Sequence, residues 1–298
     1  MSDIKKCGII TLCGRPNVGK STLTNTLVGE KVAIVSSKPQ TTRNRICAIL
    51  NRGDSQFVFV DTPGLHKART RLGDYMVKVV RQSVADVDGV CLLVEPVAHI
   101  GPPEEELIRR IQALGAPAAL VINKIDTVEK EELLAVMALY GQAHDWDAVV
   151  SISARTGEGV DELLEVLARW LPEGPQLFPD GMVTDQPERQ IMAEIVREKL
   201  LRNLDKEIPH GTAVEVTKFS QRDNDIIDCH VTIYCEKESH KGIIIGKKGA
   251  MLKKISTQAR EDMEAFMGDK VYLEVWIKVQ ERWRDDAAAI RNFGYTED

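Results

Sequence analysis

The 298-residue sequence is poor in aromatic residues (5%) and has no excess of positive charge: 39 Lys and Arg stand against 45 Asp and Glu, a formal net charge of −6. That balance excludes a chain that coats nucleic acid by overall charge, although a local basic patch can still bind one. No apolar run approaches the roughly 18 residues that cross a bilayer. The start, Met1-Ser2-Asp3-Ile4-Lys5-Lys6, passes straight into an apolar run, so no secretory leader and a cytosolic protein are expected. Cys7, Cys13, Cys47, Cys91, Cys229 and Cys235 contain no C-x-x-C pair and four lie in apolar runs, which argues against a zinc site or a disulfide frame. His66, His99, His144, His210, His230 and His240 show no metal spacing. Internal repeats and low-complexity tracts are also lacking. The 43% hydrophobic content supports real cores, and the length suggests about two domains.

What is present begins with Gly14-Arg15-Pro16-Asn17-Val18-Gly19-Lys20-Ser21. The apolar run Cys7–Cys13 before it reads as a buried strand, and Thr22–Val28 after it as a helix. Strand, G-x-x-x-x-G-K-[ST], helix is the phosphate-binding loop in its required context. The glycines let successive amides face one concavity with the helix N-terminus behind it. Lys20 is expected to reach the β- and γ-phosphates, and Ser21 to place its hydroxyl on Mg²⁺; Thr22 continues the site into the helix.

Three later motifs narrow the ligand. Asp61-Thr62-Pro63-Gly64 ends the strand Phe57–Val60, where a carboxylate can hold the Mg²⁺ shell and the Gly64 amide can sense a γ-phosphate. Asn123-Lys124-Ile125-Asp126 ends the strand Ala118–Ile122. Asp126 can accept from N1–H and the exocyclic amine of guanine, donors that adenine lacks there, and such sites discriminate strongly. The Lys124 stem can pack over the ring. Ser153-Ala154-Arg155-Thr156-Gly157 ends the strand Ala148–Ile152, with backbone amides suited to the guanine oxygen.

The order of elements fits this. Glu30–Arg45 lacks a helical period and reads as a long mobile loop. Ile46–Leu50 and Phe57–Val60 form an antiparallel hairpin across a short connection. Strands Val90–Val94, Ala118–Ile122 and Ala148–Ile152 then alternate with helices Glu104–Leu114, Glu129–Tyr140 and Val160–Trp170, an α/β pattern with a mostly parallel sheet covered by helices on both faces. The Pro- and Gly-rich stretch 171–181 breaks the rhythm. The expected division is therefore 1–172, a linker 173–187, a second domain 188–281 and a tail 282–298.

The second domain reads helix Glu188–Asn203, strands Thr212–Phe219 and Ile226–Cys235, a short helix, a helix Ala250–Met267 and a strand Val271–Val279, an α+β unit. Gly246-Lys247-Lys248-Gly249 supplies a G-x-x-G turn between its two central helices. Six lysines, Lys237, Lys241, Lys247, Lys248, Lys253 and Lys254, stand there against one acid, Glu238. They would attract phosphates without specifying sequence. The span from residue 181 onward carries 19 Lys and Arg against 22 Asp and Glu, so binding should be confined to this patch. The tail reads as a short helix with a frayed end.

The four motifs of the first part resemble the translation-factor-related GTPases. That resemblance implies Mg²⁺-dependent GTP hydrolysis, with a threonine of the mobile loop, Thr42 before Arg43 or else Thr41 after Gln40, completing the Mg²⁺ shell of Ser21 and Asp61. It also implies catalytic work for Asn17, Lys20, Thr42 and Gly64. Leu65 stands where such enzymes often carry a water-orienting glutamine. Relatives with an apolar residue there often use K⁺ held by a phosphate-loop asparagine, and Asn17 occupies that position, so slow turnover accelerated by K⁺ or a partner is expected. The second part resembles a type II KH domain, whose G-x-x-G loop clamps a nucleic-acid backbone. The combination, with Pro39-Gln40-Thr41-Thr42-Arg43 and the ending Trp283 to Gly294-Tyr295, resembles the Era family of bacterial ribosome-assembly GTPases over essentially the whole chain. This implies GTP and GDP, the 3′ end of 16S ribosomal RNA and the 30S subunit as partners. It further implies a monomer and partial peripheral contact with the inner membrane. A membrane-linked signalling GTPase and an RNA-modification GTPase are the alternatives.

Overall fold

The computed structural model describes residues 4–65, 70–83, 87–222 and 225–295. These form two compact units. The first takes residues 4–33, 42–65, 76–83 and 87–185, the second 34–41, 70–75, 186–222 and 225–295.

The first unit is built on strands β1 (Lys6–Gly14), β2 (Ile46–Arg52), β3 (Ser55–Asp61), β4 (Gly89–Val94), β5 (Ala118–Ile122) and β6 (Ala148–Ser151). They lie in the order β2-β3-β1-β4-β5-β6, all parallel except the β2–β3 hairpin. Strands covered on both faces need apolar residues at every position, which explains the unbroken runs in β4 and β5. Helices α1 (Lys20–Val28), α3 (Pro102–Leu114), α4 (Lys130–Ala143) and α5 (Val160–Ala168) connect them. Glu104 fixes the start of α3 by accepting the Gly101 N–H at 3.1 Å. The strand order turns back at β1, which lies between β3 and β4. In open α/β sheets such a reversal leaves a crevice at the carboxyl ends of the strands. Gly14 pairs with Leu93 and Leu12 with Asp61 in register, so the phosphate loop and the Asp61 motif open there together.

Helix α2 (Arg71–Ser83) falls where the sequence reading places no element. Its buried residues Leu72, Met76, Val79 and Val80 recur at one helical face, so the signal was available. The Pro-rich stretch after α5 is irregular, as its composition requires, yet pinned to the first unit. The buried Gln56 Oε1 of β3 accepts the Leu177 and Phe178 N–H groups at 2.8 and 2.9 Å, and Nε2 donates to Phe178 O at 2.9 Å.

The second unit follows the expected order, with α6 (Glu188–Asn203), β7 (Ala213–Gln221), β8 (Ile227–Cys235), α7 (Glu238–Ile245), α8 (Ala250–Met267), β9 (Val271–Val279) and α9 (Ala287–Asn292). The sheet order is β7-β8-β9, antiparallel then parallel. Alternate residues Ile227, Cys229, Val231, Ile233 and Cys235 of β8 face a core shared with Ile195 and Leu200 of α6 and Ile255 and Met263 of α8.

Two features depart from expectation. Helix α6 is buried beyond its apolar stripe, because Arg197, Glu198 and Lys199 are buried as well. The tail does not fray through residue 295. Trp283, Phe293 and Tyr295 bury together with Leu72 and Ala213, and the Trp283 indole N–H donates to Gly211 O at 2.9 Å. Aromatic side chains bury much area each, so three of them suffice to anchor a short segment.

Candidate GTP site and candidate RNA interface

Gly14 leaves β1 at φ 151°, where a Cβ would lie 2.4 Å from Leu93 O. Gly19 precedes α1 at φ 100°, where a Cβ would lie 2.2 Å from Asn123 Nδ2. Both positions therefore exclude a side chain on steric grounds as well as conformational ones. Between them Val18 is buried and anchors the loop, while Asn17 is exposed at φ 66°. Pro16 backs onto Gly64, where a Cβ would stand 2.5 Å from the Pro16 nitrogen. Ser21 and Thr22 lie in the first turn of α1, whose N–H groups have no intrahelical acceptor and suit an anion.

Lys20 is 6% exposed, and its ammonium donates to Gly14 O at 3.1 Å and Arg15 O at 2.8 Å. The Arg15 side chain turns instead to Glu104 and Glu95, so Arg15 serves the loop through its backbone. Burial lowers the Lys20 pKa and raises that of Asp61, each opposed by the other's charge.

Ser21 Oγ donates to Asp61 Oδ2 at 2.7 Å and lies 2.8 Å from Thr42 Oγ1, which in turn reaches Asp61 Oδ2 at 3.5 Å. Asp61 is fully buried, and its other oxygen, Oδ1, has no hydrogen-bond partner among the described residues. Two hydroxyls gathered around a buried carboxylate make a set of hard oxygen donors that fits Mg²⁺. Thr41 does not join them: its hydroxyl donates to Lys38 O at 2.7 Å. Thr62 donates to Leu12 O at 2.9 Å and so orients the turn after Asp61. Leu65 is buried in the core cluster of Cys13 and Val80, and its N–H donates to Gly14 O at 3.3 Å, which ties the Asp61–Leu65 turn to the phosphate loop.

The base-reading residues converge from two strand ends. Asn123 donates to Val18 O at 2.8 Å and accepts the Ala154 N–H at 2.9 Å, so one side chain joins three motifs. Lys124 is left-handed at φ 66° and pairs with Glu95, a residue the sequence did not single out. Ser153 donates to Asp126 Oδ1 at 2.7 Å, and Arg155 pairs with Oδ2. The Ser153 hydrogen bond is the main cause holding the Asp126 pKa below its ordinary value, with Arg155 adding to it. Asp126 is thus a carboxylate acceptor, and the guanidinium beside it offers the same kind of N–H pair as a guanine edge.

In the second unit, Gly246 ends α7 at φ 71°, and a Cβ there would lie 2.7 Å from Met251 Cβ. Lys248 at φ 52° and Gly249 at φ 80° complete the turn into α8. Ile244 and Ile255 are buried on either side and fix it to the core. Lys247, Lys248, Lys253 and Lys254 are exposed and Lys241 is half-buried; among the described residues none of the five makes an ion pair. Uncommitted ammonium groups around an exposed turn suit a phosphate backbone.

Sequence reasoning missed a row of charged residues on α6. Glu198 and Arg197 hydrogen-bond the backbone of Val35, Gln40 and Thr41, all within the second unit. No motif marks such contacts.

Residues 9–124 match the family model described as "50S ribosome-binding GTPase", and residues 207–284 match "KH domain". The chain is 50% identical over 290 residues to GTPase Era of Clostridium kluyveri, covering 97% of this chain and 99% of that protein. It is 47% identical over 294 residues to GTPase Era of Clostridioides difficile, covering 98% and 99%. Among solved structures, a variant of Aquifex aeolicus Era bound to GDP.AlF4- is 38% identical, with a TM-score of 0.94 over 98% of this chain and 99% of that one. Era in complex with MgGDPNP and nucleotides 1506–1542 of 16S ribosomal RNA is equally similar, at 38% identity and a TM-score of 0.94.

Proposed function

The chain belongs to the Era family of GTPases and hydrolyses GTP; from this we propose that it is a switch that binds the 3′ region of 16S ribosomal RNA and assists assembly of the small ribosomal subunit. The observation that carries the reading is the pairing, in one chain, of the Asn123–Asp126 and Ser153–Ala154 base site with the lysine-ringed turn Gly246–Gly249. The description of the first family model names the large subunit, but that model spans only residues 9–124, whereas the RNA bound by the full-length relative is from the small subunit.

On this reading residues 1–172 are the GTPase part, 188–281 the KH part, 173–187 their linker and 282–298 the tail. Phosphoryl transfer requires positioning and charge stabilisation more than covalent chemistry. The amides of Gly14–Ser21 cradle the phosphates, and Lys20, released from Gly14 O and Arg15 O, pairs with β- and γ-oxygens. Ser21, Thr42 and Asp61 would hold Mg²⁺, which neutralises charge on those oxygens. The Gly64 amide faces the γ-phosphate. With Leu65 buried, no side chain at that position orients water, so Asn17 is proposed to hold K⁺ and turnover without K⁺ or a partner to be slow. Gly246, Lys247, Lys248 and Gly249 clamp the RNA backbone, with Lys241, Lys253 and Lys254 beside them.

We also place the protein in the cytoplasm as a monomer, partly in peripheral contact with the inner membrane, on family resemblance. Among the described residues no helix is long and apolar enough to cross a membrane.

Crosslinking and sequencing of RNA bound in cells tests the proposal. Fragments from the 16S 3′ end should dominate and disappear with Gly246→Asp. Enrichment of unrelated RNA, or no RNA, overturns it. Equal GTP turnover in Na⁺ and K⁺ removes the role given to Asn17.

A further inference from the structure

Three neighbouring parallel strands of the first unit, β1, β4 and β5, end side by side, with Gly14 opposite Leu93 and Val94 opposite Ile122 in register. Each carries a charged side chain just past its carboxyl end: Arg15 after β1, Glu95 after β4 and Lys124 after β5. The middle charge is opposite in sign to both flanking ones. The Lys124 ammonium donates to Glu95 Oε1, and Arg15 Nη2 lies 3.4 Å from Glu95 Oε2. Arg15 is held from its far side in turn. Its Nε lies 2.5 Å from Oε1 of Glu104, a residue only 2% exposed whose Oε2 accepts the Gly101 N–H at 3.1 Å. Glu95 therefore sits between two cations, one of them anchored to the start of α3.

The backbone of Lys124 is fixed as well. It stands at φ 66°, and its carbonyl accepts the Thr127 N–H at 3.0 Å and the Thr127 hydroxyl at 2.7 Å. A lysine fixed only at its backbone keeps the rotamer freedom of a four-carbon stem, and ordering that stem costs entropy. With its ammonium paired to Glu95, both ends of the stem are set. A lysine stem packs on an apolar face when its charged head reaches a polar partner beyond that face.

We propose that Glu95 is a positioning residue for guanine nucleotides: by holding the Lys124 ammonium it keeps the stem extended where the ring packs. This rests on the reading that Lys124 lies over the base that Asp126 reads. Choice of base stays with Asp126, so Glu95 governs how tightly the base is held and not which base it is.

The test uses the full-length chain with E95A, K124M, the double variant and K124A. Affinities for GDP and for inosine diphosphate, which lacks the exocyclic amine, are measured alongside the melting temperature. E95A should bind GDP about fivefold more weakly, the upper end for a partly exposed ion pair. K124M keeps an apolar stem without the ammonium and should lose the same factor. The double variant should lose no more than either single one, because both remove one contact. K124A, which removes the stem, should lose more. The ratio of GDP to inosine diphosphate affinity and the melting temperature should stay at their wild-type values in E95A. If K124A weakens binding and E95A does not, Glu95 has no positioning role while the reading of Lys124 stands. If K124A binds as the wild type does, both fail. An unaffected K124M, or losses that add in the double variant, show that Glu95 does not act through the ammonium and overturn the proposal. A changed affinity ratio or a lower melting temperature in E95A shows a merely structural carboxylate and also overturns it.

Discussion

The chain contains two glycine-rich turns that open helices, and they handle lysine in opposite ways. In Gly14–Ser21 the lysine is buried and bonded to the loop's own carbonyls. In Gly246–Gly249 the lysines are exposed and make no ion pair among the described residues. The closing glycines differ likewise. Gly19 has no room for a side chain, whereas a Cβ on Gly249 would meet nothing within 4 Å among the described residues. Leu93, Asn123 and Pro16 crowd the first turn and the Gly64 turn beside it, which suits one compact anion. The second turn is open, which suits a polymer whose backbone runs past it. Glycine and lysine alone do not distinguish the two; the enclosure around them does.

The largest test of that contrast is Asp126→Asn. The variant should lose GTP and GDP affinity by about 10³-fold or more, because the guanine donors lose their acceptor. Its RNA affinity in the absence of nucleotide should be unchanged, as filter binding would show. Loss of both would mean that the two turns are not separate binding devices.

A matched pair of alanines comes next. Gly19→Ala places a Cβ 2.2 Å from Asn123 Nδ2 and should abolish nucleotide binding and lower the melting temperature. Gly249→Ala adds only the strain of φ 80°, about 1 kcal/mol, and should weaken RNA a few-fold without touching nucleotide affinity. Equal damage from the two would break the distinction between enclosed and open turns.

Salt should separate the turns less sharply. RNA affinity should fall linearly on a log–log plot against salt, and Lys247→Ala or Lys248→Ala should each reduce the slope by about 0.7, the single-strand value. Nucleotide affinity should follow salt weakly, because the ammonium that serves it is buried.

The smallest effect concerns the sheet of the second unit. Hydrogen bonds from Lys218 and Arg222 hold the Asp228 carboxyl well below its ordinary value of 3.8. A group whose folded pKa is depressed stabilises the fold above its unfolded pKa, and that stabilisation is lost as pH falls through the folded value. Acid unfolding of the wild type should therefore steepen below about pH 4, and Asp228→Asn should flatten it.

Much of this was legible along the chain because the relevant groups are rare residue types in fixed order. The phosphate loop, Asp61, Asn123–Asp126 and the G-x-x-G turn each need particular side chains, and the structure brings the first three together at the strand ends. Period and length located most helices and strands. Helix α2 carried its signal in Leu72, Met76, Val79 and Val80, although no chemical motif marks the stretch. The tail read as a short helix with a frayed end, whereas the burial of Trp283, Phe293 and Tyr295 anchors it through residue 295.

By itself, then, the sequence determined which anion chemistry each unit offers and which base the first can read, since those depend on carboxylates, amides, ammonium groups and glycines that cannot be exchanged for others. Only the tertiary structure decided that Gln56 would hold the linker and that Arg197 and Glu198 would hold segment 34–41 of their own unit. The physical reason is that these side chains bond to backbone N–H and C=O groups. Every non-proline residue carries both, so the partner leaves no trace in residue type and becomes visible only when folding brings the donor to the acceptor.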